Sequence, residues 1–251
     1  MRIVTFWLSV IMIFIIPWEN IIILRGIGTI SQAMGFLLAG FWILSIAITG
    51  LPRKFQRFHL AVFLFMLWQM SSYVWSIDEF RTMDRIKTNF QLVIMITIFW
   101  DLYTTSARLN AGLQAYVLGA YVSIGSIVTN YVSGIMKGYL RYTATGFGSN
   151  DLALLLALGI PVAWHLAIFK ENDKQNRMMK LVNFAYVPAA VFSILLTSSR
   201  GGLFAMLMSF FFILRSITRL SAFQRILIMA ALTGSMFLMQ SYVPQTSFVR
   251  L

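Results

Sequence analysis

Two arginines stand where an apolar chain has little reason to keep them. Arg200 lies in Thr197-Ser198-Ser199-Arg200-Gly201-Gly202, between Leu181–Leu196 and Leu203–Leu214, two runs without a charge. A charge between two membrane-spanning runs must reach a water interface or be buried against a partner. Gly201 and Gly202 have no side chains, so backbone or ligand can come close beside it. Arg141 lies upstream in the loop 134–148, and Asn150-Asp151 follows that loop. A guanidinium offers a planar fork to phosphate oxygens and never loses its charge, so an arginine pair suits an anionic group such as a diphosphate. Plainer readings stand beside this one. Asn150 and Asp151 suit the start of a helix as caps. Arg141 alone reads as a headgroup anchor. Arg200, placed at the close of the seventh helix, reads as a snorkelling or C-capping residue.

The elements that must position these residues follow from composition. The chain has 251 residues, 59% of them hydrophobic and 11% charged. A soluble domain carries about 25% charged residues, so too few polar side chains exist here to cover a water-facing surface. The expected fold class is all-α, a polytopic membrane helical bundle forming a single integral membrane domain over residues 1–251. A span needs about 20 residues to cross roughly 30 Å of hydrocarbon. Nine candidates appear: Ile3–Trp18, Thr29–Leu51, Leu60–Trp75, Phe90–Leu102, Ala111–Ser133, Leu152–Phe169, Leu181–Leu196, Leu203–Ile217 and Ile226–Val243. Met1-Arg2 before the first run lacks a following signal-cleavage pattern, and Pro17-Trp18-Glu19-Asn20 reads as an interfacial turn.

Lysine and arginine counts set the orientation. With the N-terminus cytoplasmic, twelve basic residues face inward and eight face outward. Arg141, Asn150-Asp151 and Arg200 then share the outer side. Tryptophans and tyrosines cluster at the expected span ends, as an aromatic belt requires. The excess of 20 basic over 8 acidic residues reads as topology and contact with membrane lipids rather than nucleic-acid binding, since no basic domain lies outside the apolar segments.

His165 is read as the one ionisable side chain inside the apolar runs. Ion-coupled transporters usually carry intramembrane acids, bases or charge pairs, so chemistry is expected at the outer surface. The absence of cysteine and the wide separation of His59 and His165 make a metal site unexpected. No cofactor is implied. Pro161 and Pro188 should bend the sixth and seventh helices, either routinely or to open a lateral cleft for a lipid tail. Gly119 and Ser123 form a small-xxx-small pair that favours close packing of the fifth.

The run Arg141-Tyr142-Thr143-Ala144-Thr145-Gly146-Phe147-Gly148-Ser149-Asn150-Asp151-Leu152-Ala153 precedes a proline-containing helix and then Thr197-Ser198-Ser199-Arg200-Gly201-Gly202. Together with Ser72-Tyr73-Val74-Trp75-Ser76-Ile77-Asp78, this order resembles the O-antigen ligase and O-antigen polymerase family of bacterial membrane proteins. The resemblance covers a family-like core over 69–214 and is strongest from Arg141 to Gly202.

The resemblance implies a metal-independent glycosyltransferase in the bacterial inner membrane, acting in lipopolysaccharide or exopolysaccharide biosynthesis. It would take a glycan from a polyprenyl (undecaprenyl) diphosphate carrier on the periplasmic side and pass it to a hydroxyl of a lipid or glycan acceptor. Arg200 and Arg141 would be the catalytic pair. Asn150 would join them in binding the diphosphate, with Ser199, Gly201 and Asp151 in support. The family pattern continues into a large periplasmic loop with a histidine, then further spans. This chain ends at Leu251, so the resemblance implies truncation before that catalytic loop. Alternative expectations are a flippase for a lipid-linked glycan, or an inactive membrane fragment of such a transferase.

Overall fold

The computed structural model describes residues 1–24, 28–50, 52–136, 141–168 and 177–217. They form eight helices: α1 (Arg2–Ile15), α2 (Ile30–Thr49), α3 (Arg57–Ser71), α4 (Glu79–Leu102), α5 (Ser106–Val132), α6 (Ser149–Ile168), α7 (Arg177–Thr197) and α8 (Arg200–Ile217). Six helical stretches are long and apolar enough to cross a membrane, as a multi-pass membrane protein requires. The ninth expected span, Ile226–Val243, lies outside the described residues. A short antiparallel hairpin, Ile23–Leu24 with Gly28–Thr29, precedes α2. The Pro17 segment winds into a short 3-10 stretch, Ile16–Ile21, kinked at Trp18, with the proline in its first turn, where a missing amide costs nothing. Packing divides the described chain into two compact units. One comprises Met1–Met12 and Gln32–Leu109; the other holds Ile13–Ser31 and the described residues from Asn110 onward.

In the first unit, α3 and α4 begin on polar side chains. Gln56 and His59 cap the α3 start reciprocally, and the Asp78 carboxylate accepts the Arg81 amide at 3.0 Å to open α4. Helix α4 thus starts eleven residues before the expected run at Phe90, because this cap and the exposed Lys87–Asp84 pair support a charged first half. One reading needs correction. His165 does not stand alone, because Asp101 lies within Phe90–Leu102 and is only 7% exposed. Burying a carboxylate is costly unless its lone pairs are met. The Trp42 indole donates to it at 3.0 Å and the Arg53 amide at 2.8 Å, with the Arg2 guanidinium 3.9 Å away.

In the second unit, α6 packs on both α7 and α8. Pro161 sits inside α6 and has no amide to give the carbonyl of Ala157, four residues back. The Ser209 hydroxyl of α8 lies 3.0 Å from that carbonyl and 3.0 Å from the Ala205 carbonyl of its own helix, so its one proton serves both acceptors. The two carbonyls before it also receive side-chain donors: Tyr186 of α7 to Leu156 at 3.1 Å, and Tyr116 of α5 to Leu155 at 2.8 Å. Gly159 lets the Tyr186 ring lie against the helix, since a Cβ there would collide with its hydroxyl. Buried Asn183 of α7 and Gln114 of α5 exchange two amide hydrogen bonds at 3.0 and 2.9 Å. The small-xxx-small pair is used for close approach. The Phe14 carbonyl fills the space a Gly119 side chain would take, and Ser123 donates to the Pro17 carbonyl at 2.5 Å.

Replacing Ser209 with alanine should strand the Ala157 carbonyl where water is scarce. The cost should be about 1 kcal/mol, read as a lower melting temperature in detergent. Pro161→Ala restores an amide at that position, so in its background Ser209→Ala should cost less. Equal losses in both backgrounds would show that the serine does not serve the proline gap.

Candidate functional site

The sequence-predicted residues gather at one end of the second unit, where α6 starts, α7 ends and α8 starts. Each arrives by a local device. The Tyr142 amide donates to the Leu196 carbonyl at 3.1 Å, tying the segment after Arg141 to the last turn of α7. The Asn130 amide holds the Thr143 carbonyl at 2.8 Å, and the Thr143 hydroxyl donates to the Phe147 carbonyl at 3.2 Å. Gly146 turns the chain with φ +81°, against the Asn20 carbonyl, which leaves no room for a side chain.

Gly148 is the residue before α6, because its carbonyl accepts the first helical bond from the Leu152 amide at 3.0 Å. Asn150 and Asp151 therefore lie inside the first turn rather than at the cap. Asp151 lies in the first turn, where a carboxylate suits the helix dipole, with an oxygen 2.7 Å from where a Cβ of Gly148 would stand. Asn150 does not cap its own helix. Its side-chain carbonyl accepts from the Ser199 hydroxyl at 2.9 Å.

Ser199 in turn caps α8. Its oxygen receives the Gly202 amide at 3.1 Å, and its carbonyl receives the Leu203 amide at 2.9 Å. This corrects the placement of Arg200. It does not close the seventh helix; it is the first residue of α8. The reason is the serine pair, which ends one helix and caps the next within two residues. A cation in the first turn opposes the helix dipole, so Arg200 is no C-cap.

Arg141 is half-buried and donates from Nη1 to the Ser149 hydroxyl at 3.1 Å. Its Nε is buried and finds no hydrogen-bond partner among the described residues. Ser198, at φ +49°, is the one non-glycine residue with positive φ among them. It is 1% exposed, and its hydroxyl also lacks a partner. Such strain costs on the order of 1–2 kcal/mol, and strained positions cluster at functional sites. Above this buried floor, Asn150, Asp151, Arg200 and Gly201 are exposed.

The glycines divide their work. At Gly202 a Cβ would strike Ala153 of α6, so this glycine sets the approach of α6 and α8. Gly201 faces open space, so the site keeps free volume beside Arg200. Sequence reasoning gave no role to Ser149 or Ser198. A serine beside a cap-rich turn was the available signal for the first, and nothing marked the second. His165 lies in the last turn of α6, at the opposite end of that helix from Asn150.

With two guanidinium-bearing residues, two helix starts and one unmet buried N–H, this end of the bundle is suited to hold an anion. No known family, curated protein or solved structure matches the chain.

Ser198→Gly should relieve the left-handed strain and raise the melting temperature by a few degrees, about 1 kcal/mol. If the hydroxyl serves the site, the same variant should lose ligand affinity, so stability and affinity should move in opposite directions. Gly202→Ala should destabilise, and Ala153→Gly should rescue it. Thermal unfolding of the two singles and the double tests the clash, and a double variant no better than Gly202→Ala would refute it.

Proposed function

We propose that the chain supplies the donor-diphosphate site of a membrane glycan transferase of the O-antigen ligase and polymerase type. The observation that carries this reading is the pairing of Arg141 and Arg200 across linked helix starts. The Ser199–Asn150 bond joins α8 to α6, and Arg141 reaches Ser149 beside it. Positive helix ends and guanidinium groups at one place repel each other unless an anion joins them. A lipid-linked diphosphate has the charge, and its tail holds it at the depth of a span end.

In this reading the protein is a multi-pass bundle of about nine spans in the bacterial inner membrane. Its N-terminus is cytoplasmic and the arginine end faces the periplasm. The acceptor hydroxyl attacks the anomeric carbon of the donor sugar. The bond from that carbon to the diphosphate oxygen breaks, and the hydroxyl proton passes to a general base. The diphosphate leaves with the electron pair. Arg141 and Arg200 neutralise the charge that grows on it, and Asn150 and Ser199 hold the frame on which they stand. Asp151 supports the α6 start, and the open space at Gly201 admits the phosphate. No metal or nucleotide sugar is needed for this step.

Arg200→Lys and Arg141→Ala should each lower glycan transfer about a hundredfold, with normal membrane insertion. The measurement is the lipopolysaccharide or exopolysaccharide ladder of cells that depend on the protein. Unchanged ladders in both variants would remove the arginine clamp. Translocation of a labelled carrier in reconstituted vesicles, without transfer, would favour a flippase instead.

A further inference from the structure

We infer that the first unit carries a separate site for an anionic glycerophospholipid, in the groove between α3 and α4. The groove has a volume of about 410 Å³, and Phe55, His59, Leu60, Phe63, Val93 and Ile96 line it. Phe55, Leu60 and Phe63 are exposed, and only 6% of the α3 stretch is buried. In a bilayer a furrow of this kind takes a hydrocarbon chain, because no side chain of the described residues fills it and water is scarce.

The end of the groove narrows the choice of lipid. Arg53, Lys54 and Arg57 stand at the α3 start, and all three are exposed. The one carboxylate in contact with this cluster among the described residues, Asp101, is already committed to the Trp42 indole, the Arg53 amide and the Arg2 guanidinium. Three cations beside an apolar furrow therefore lack a full counter-charge within the unit. Between charge and furrow lies an aromatic collar. The Arg53 guanidinium stacks 4.1 Å over the Trp100 ring, and the His59 ring packs on Phe55, Phe58 and Trp100 at 5.2, 3.8 and 5.3 Å. Aromatic rings of this kind belong at the headgroup level.

His59 adds the third feature. Its Nδ1 lies 3.0 Å from the Gln56 amide and 3.3 Å from the Gln56 carbonyl; in the tautomer that accepts the shorter contact, the proton is on Nε2. That Nε2 is buried and finds no acceptor among the described residues. Cations, a ring collar with an unmet N–H, and an apolar furrow follow one another along α3. A glycerophospholipid presents phosphate, ester carbonyl and acyl chain in the same order. The net positive charge selects an anionic headgroup over a zwitterionic one.

The full chain, delipidated in detergent, would be titrated with phosphatidylglycerol or phosphatidylcholine and read by native mass spectrometry. The expected result is one saturable phosphatidylglycerol adduct with no matching phosphatidylcholine adduct. Lys54→Gln with Arg57→Gln, both on exposed side chains, should weaken that adduct about thirtyfold. Ile96→Trp should block it by filling the groove. Lys87→Gln, a basic residue away from the groove and paired with Asp84 at 3.3 Å, should leave it unchanged. Equal binding of both lipids would overturn the inference, and so would an adduct that survives the Lys54/Arg57 change undiminished. Should Ile96→Trp fail to fold, the glutamine pair decides alone.

Discussion

A carbonyl that loses its helical partner inside hydrocarbon has no water to turn to. The second unit depends on how it meets that constraint. Pro161 removes one amide from α6, and the helix answers with donors from its neighbours. Ala157, Leu156 and Leu155 receive hydroxyls from α8, α7 and α5 in turn. Each bond is worth on the order of 1 kcal/mol in a membrane, but each is directional. Three bonds on consecutive residues point three helices at one turn of α6 and so fix the rotation of each. Apolar packing alone would not do this, because leucine faces lipid and leucine with little preference.

The polar end inherits its geometry from that turn. Ala153 lies one helical turn before Ala157 and receives the bare backbone of Gly202. With α8 held by Ser209 at one level and by Gly202 at the next, its first residue has little freedom. Ser199 then links that start to Asn150, and the Tyr142 amide ties the preceding loop to α7. Ser199 is small enough to be buried and polar enough to bond both helix starts at once. A larger polar residue there would have forced α6 and α8 apart. Arg200 thus stands on a helix end, and Arg141 in a loop that the Tyr142 amide ties to α7 and its own Nη1 ties to Ser149, which holds both charges closer to a fixed geometry than a free loop would.

Much of this was legible in the sequence. Hydropathy marked eight stretches that are helical in the structure, and six of them are long and apolar enough to cross a membrane. The Gly119/Ser123 pair and the Pro17 turn also read correctly, since each is a local rule. Three features escaped for a shared reason. Asp101 reads as polar punctuation at a span end, and only the tertiary arrangement brings Trp42 and Arg53 to it. Arg200 reads equally well as the end of one helix or the start of the next, and the difference is one capping bond from Gly202 to Ser199. Asn150 is a good cap by type, yet its carbonyl is taken by a residue 49 positions away. Pattern finds elements; it does not say which of two suitable partners a polar group chooses.

That choice also separates the arginines from one another. Arg53 spends its capacity locally, with its amide on Asp101, its Nη1 on the Trp100 carbonyl at 3.4 Å and its plane on the Trp100 ring. It is exposed, so its remaining donors reach solvent or headgroups at little cost. Arg141 is half-buried, its Nη1 donates to a neutral serine, and its Nε is sealed from solvent without a partner among the described residues. A sealed guanidinium donor loses its hydration and gains nothing in return. Natural folds keep such groups rarely, and where they do a further partner is the economical explanation. The Ser198 hydroxyl, buried and unpartnered on a strained residue, presents the same debt at the same end of the bundle. In the proposed reading, the diphosphate oxygens are what these donors face.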